Sequence, residues 1–182
     1  MIKDSAKWRA ELTGVAKFLE KKTYQLRWSD ITFFQTERNI MTAFYWIRKM
    51  LESKKSSPKI MASSLKLLEF ERGLIGSGEV VGPILQVNFD MEHPKAITRD
   101  LVFVCHQIVH SYIFSLAVGY QSGLQGLYFS SDREHRSRLF FISVEDLINT
   151  IKMVGLDTDV GFSPWIEERL QFHRVQTAFP QP

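Results

Sequence analysis

The sequence predicts a mainly α fold, a helical bundle of about five helices carrying one inserted β-hairpin, in a single domain over residues 1–182. Three observations predict it. Several stretches repeat their apolar residues at the three- and four-residue spacing of an amphipathic helix. One pair of β-rich runs, joined by a polar turn, stands apart from them. The chain has 182 residues, 45% of them hydrophobic and 13% aromatic, which suits one sizeable core and is short for two.

In DSAKWRAELTGVAKFLEKK, Trp8, Leu12, Val15, Ala16 and Leu19 recur at helical spacing, and Asp4 or Ser5 supplies a cap. Ser29 or Asp30 caps a second, longer helix. There Phe33, Ile40, Phe44, Ile47 and Leu51 form one stripe, which Met41, Tyr45 and Met50 widen. The Ser- and Pro-containing ESKKSSPK ends it. Within residues 60 to 92, IMASSLKLLEFERG reads equally as a short helix or a strand. Gly73, Gly76, Gly78 and Gly82 then mark a flexible connection, since their spacing fits no phosphate-binding loop.

Pro94 suits the first turn of a third helix, expected to run to about residue 116 before Gly119 stops it. GLYFSSD and SRLFFIS, separated by REHR, form the hairpin. Ser143 caps VEDLINTIKMVG, a fourth helix ending at Gly155. Ser163 and Pro164 open a fifth in SPWIEERLQFHR, and residues 175–182 form a frayed tail.

The formal charge of +3 permits an RNA or DNA partner without demanding one, because 23 basic residues are interspersed among 20 acidic ones. A single cysteine, Cys105, excludes an internal disulfide and a multi-thiolate zinc site, and it fits a reducing compartment. The N-terminal stretch lacks a signal-peptide core, and no run approaches the roughly 20 apolar residues that span a bilayer. The cytoplasm is the expected setting, with no membrane partner. Cys105 lies on the apolar face of its helix and is expected to be a buried small hydrophobe.

RDLVFVCHQIVHSYIF, residues 99 to 114, places an arginine and two histidines in an otherwise core-like run. At about 100° per residue with Arg99 at zero, His106 falls near −20° and His110 near +20°, so the three share one line of a helix. Leu101, Val104, Cys105 and Ile108 fill the opposite arc, while Asp100 and Gln107 flank the line. Imidazoles exchange protons near neutrality, and a guanidinium holds phosphate or stabilises a phosphorane-like transition state. Cleavage of RNA through its own 2′-hydroxyl needs those two services and no metal or other cofactor. Arg99, His106 and His110 are therefore the catalytic candidates. Asp100 and Gln107, with Arg38 and Arg48 on the second helix, are candidates for substrate contact.

Arg99, the polar Asp100 beside it, and His106 after six intervening residues make up a short motif. In this the stretch resembles the HEPN family of small helical bundles, many of them metal-independent RNases of toxin and defence systems. The resemblance implies His106 as catalytic acid or base, Arg99 as the phosphate-binding partner, and a homodimer that joins two copies of this helix across the active site.

Two other readings use the same residues. The polar helix face could be a protein interface, making the chain a non-catalytic interaction module or the partner subunit of a toxin–antitoxin or defence pair. His106 and His110, four apart, also have the spacing of two metal ligands, with Glu37, His93 or His173 as a third. At the hairpin tip, Arg133, His135, Arg136 and Arg138 suit either phosphate contact or a charged edge that blocks strand pairing.

Overall fold

A computed structural model describes residues 5–73, 88–119 and 123–158. In chain order these form α1 (Ser5–Lys22), α2 (Asp30–Glu52), the single turn α3 (Pro58–Met61), β1 (Ser64–Glu71), β2 (Lys95–Asp100), α4 (Leu101–Val109), β3 (Ser111–Gly119), β4 (Gly123–Ser131), β5 (Arg138–Ser143) and α5 (Val144–Gly155). The strands make one antiparallel sheet in the spatial order β2, β1, β5, β4, β3. The fold is thus α/β, and the expected helical bundle with one hairpin is overturned, together with the bundle outline that the HEPN resemblance implied.

Three of the expected helices are present, two of them with the expected serine caps. Leu12, Val15, Ala16 and Leu19 bury the inner face of α1. Ser29 Oγ accepts from Thr32 N at 3.3 Å to start α2, and Ser143 Oγ accepts from Asp146 N at 3.0 Å to start α5. The undecided stretch after α2 becomes α3 and β1. The hairpin runs are β4 and β5, and both are inner strands of the larger sheet. The fifth helix, the tail, and Gly76, Gly78 and Gly82 lie outside the described residues.

The long third helix is the main correction. Residues 95 to 100 pair with β1, Leu65 opposite Arg99 and Leu67 opposite Ile97. Helix α4 begins only after Asp100, whose Oδ1 accepts from Phe103 N at 2.6 Å. His110 caps its other end, and the chain then turns into β3. Beyond that point Phe114, Leu116 and Val118 pack on the main core at a period of two, as a strand face does.

All four longer helices cover one face of the sheet and enclose the main core, in which Phe44, Phe129 and Phe140 are the largest fully buried side chains. Cys105 is buried there as expected, and that burial pushes its thiol well above the usual range. The opposite face carries a smaller cluster of Phe70, Phe89, Ile113 and Leu139, against which Tyr128 and Phe141 pack. Among the described residues no helix is long and apolar enough to cross a membrane.

Candidate functional site

Helix α4 is short, so its two ends do different work. Its N-terminus is closed by Asp100; its last turn and C-cap carry His106 and His110, whose rings lie 4.8 Å apart at 52°. Arg48 of α2 reaches this end, with Nη1 2.6 Å from His110 Nε2. A guanidinium has donors only, so Nε2 accepts and the His110 ring proton sits on Nδ1. Glu52, one turn on from Arg48, accepts from Arg48 Nε at 2.7 Å and fixes the guanidinium. Hydrogen bonds from Lys49 and then Arg48 hold the Glu52 carboxyl below its ordinary range.

The connection between β4 and β5 completes the site. Gln107, buried on α4, accepts from Ser131 N through Oε1 at 2.9 Å. Asp132 N donates to the His110 carbonyl at 3.1 Å. These bonds tie the turn to the end of the helix. His106, His110, Ser131, Asp132 and Arg133 then line an open cavity of about 210 Å³. That is below the 300 Å³ or so at which pockets begin to enclose a drug-sized molecule, and it suits a phosphodiester group. Ser131 Oγ is buried and makes no hydrogen bond among the described residues.

Burial is the largest effect on His106 and pushes it below its ordinary value; the positive charges of Arg48 and Arg133 act in the same direction. His106 is therefore a neutral base at pH 7. The cavity joins one such base to a second imidazole, with Arg133 and Asp132 in its lining and Arg48 hydrogen-bonded to His110.

Of the residues expected from the sequence, the structure brings together Arg48, His106 and His110, with Gln107 as the tether of the turn. It does not bring Arg99, Asp100 or Arg38. Arg99 is on β2, not on the helix; its Nη2 lies 3.7 Å from Glu69 Oε2, and its guanidinium sits over the Phe103 ring. Asp100 is spent as a cap. Arg38 lies over Phe34, about 15 Å along α2 from Arg48 at 1.5 Å per residue. Ser131 and Asp132 were not anticipated as site residues, and Arg133 only as one of several loop arginines. Their signal was the polar cluster SSDREHR. His173 lies outside the described residues, and among those described no group of three or more His, Cys, Asp or Glu could hold a metal ion.

No protein-family model, no curated protein and no solved structure matches this chain. The HEPN assignment is withdrawn, since no family model supports it and a five-stranded sheet stands where the family's bundle would be.

Proposed function

We propose that this chain binds RNA and cleaves it without a metal ion at the His106–His110 cavity. The observation that carries this reading is the pair of imidazoles at 4.8 Å, with Arg48 on one of them and Arg133 and the free Ser131 hydroxyl beside them. His106, neutral at pH 7, takes the proton of a 2′-hydroxyl. The 2′-oxygen attacks the adjacent phosphorus, and Arg48, Arg133 and Ser131 hold the charge that grows on the phosphoryl oxygens. Incoming phosphate draws Arg48 away from Nε2; that nitrogen then takes a proton from water and passes it to the departing 5′-oxygen. The products are a 2′,3′-cyclic phosphate and a 5′-hydroxyl.

His106, His110, Ser131, Asp132, Arg133 and the Arg48 that bonds His110 lie together within one chain. The lone, buried Cys105 supports a cytoplasmic setting.

The test is incubation of mixed RNAs in excess EDTA with the wild type, His106→Ala, His110→Ala and Arg48→Ala, each checked for folding. The expected result is wild-type cleavage to cyclic-phosphate ends, with each histidine substitution lowering the rate about 10²- to 10⁴-fold. A folded wild type that neither binds nor cuts RNA would overturn the reading and leave this polar face as a protein interface.

A further inference from the structure

Beside the cavity the β3–β4 ladder contains an irregularity that places one aromatic side chain in an unusual position. Ser111 pairs with Ser131, and the next pair is Ile113 with Ser130, so Tyr112 is an extra residue with no partner. Such bulges re-aim a side chain and concentrate next to functional sites. Here the bulge turns Tyr112 onto the β4–β5 turn, where its ring stacks on His135 at 4.0 Å and 27°. His135 is buried at 8% exposure, and its Nδ1 donates to the Asp132 carbonyl at 2.6 Å, so the lower ring of the stack is fixed. Tyr112 itself is 55% exposed. One face of the phenol rests on the imidazole while the rest of the ring is open to water.

The stack shares its supports with the cavity. Tyr112 follows His110 by two residues, and His135 belongs to the turn that carries Ser131, Asp132 and Arg133; His135 N also donates to the Ser131 carbonyl at 2.9 Å. An open aromatic face held rigid next to a cavity that carries Arg133, with Arg48 at its His110, is the pairing that single-stranded nucleic acids require, with stacking for a base and a guanidinium for its phosphate. A duplex keeps its base faces covered and cannot use it.

We infer that Tyr112, braced by His135, is a stacking platform for one unpaired nucleobase adjacent to the phosphate held in the cavity, which makes single-stranded RNA the substrate class. This rests on the RNA reading above. An alternative use of the ring, as a cover for His135, predicts that any bulky apolar side chain would serve.

The experiment uses fluorescent single-stranded oligoribonucleotides, one with all bases and a set with a single abasic position moved along the strand. They are titrated in EDTA against folded His106→Ala protein, alone and combined with Tyr112→Leu or Tyr112→Trp. Leucine keeps an apolar cover but offers no ring; tryptophan enlarges the ring. The expected result is that Tyr112→Leu weakens the all-base strand by about 5- to 150-fold, the range spanned by loss of one base–aromatic stack. At one abasic position the same substitution has no effect, and Tyr112→Trp binds at least as tightly as tyrosine. If strands bind but leucine and tyrosine bind them equally, the platform is overturned and the RNA reading stands. If the folded protein binds no strand even at low salt, both fall together.

Discussion

Replacing Gln107 by methionine tests whether the cavity is held together as described. Gln107 Oε1 is the acceptor for the buried Ser131 N–H at 2.9 Å, a bond joining residues 24 apart and fixing the turn against α4. Methionine matches glutamine in length and lack of branching, so little cavity is created. What remains is a buried amide without a partner, which costs about 1–3 kcal/mol. For a chain of this length that corresponds to a fall in Tm of roughly 2–12 °C. Thermal unfolding followed by circular dichroism reads the global loss, and amide exchange at Ser131 reads the local one, rising about tenfold for each 1.4 kcal/mol. RNA affinity falls as well, because Ser131 and Arg133 lose their fixed position. An unchanged Tm with unchanged exchange at Ser131 would show that Gln107 does not hold the turn, and the geometry built on it would fail.

The depressed pKa of His106 has a defined sign. Between its folded value and the unfolded value of about 6.5 the unfolded chain binds more protons, so this residue's contribution to stability is full above 6.5 and lost as pH falls through that window. The acid limb of RNA cleavage has its midpoint below 6.5, and Arg133→Ala moves the His106 midpoint upward in an NMR titration, since it removes one repelling charge. Arg48→Ala lowers RNA affinity and reduces the slope of log affinity against log salt by about 1, whereas Arg99→Ala leaves both unchanged in fluorescence anisotropy. Gly126→Ala costs about 1–3 kcal/mol in urea denaturation, because the added Cβ meets the Ile142 carbonyl and the Phe141 ring that lies over this glycine.

Helices α1, α2 and α5 were legible because each is long and carries one apolar stripe, and α2 and α5 begin at a serine that caps them. The sheet was only half legible. β4 and β5 are close in sequence and joined by a polar turn, so local pattern found them. β1 and β2 are separated by a long connection, and what makes them strands is their mutual pairing, from Ser64 opposite Asp100 to Glu69 opposite Lys95. No property of residues 95 to 100 alone records that partner; β2 is mostly exposed and lacks a buried alternating face to announce itself. With β2 hidden, an apolar run spanning a helix and a strand reads as one long helix.

The same misreading explains which part of the site was found. Setting Arg99 on a helix that has not yet begun aligns it with His106 and His110 by arithmetic alone. The two histidines do share one end of α4, because they sit in its last turn and C-cap, where helical spacing still holds. The cations that face them come from elsewhere. Arg48 lies 62 residues before His110, and Arg133 arrives on a turn tied down by Gln107. Local periodicity identifies side chains on one element, but it carries no information about what a second element brings to them. The histidines were therefore readable from 16 residues of sequence, and their charge partners only from the packing of α2 and the β4–β5 turn against the end of α4. The contrast between Arg48→Ala and Arg99→Ala is for that reason the sharpest test of the structure. A helix-borne Arg99 line and a tertiary Arg48 cradle predict opposite losses in the same assay.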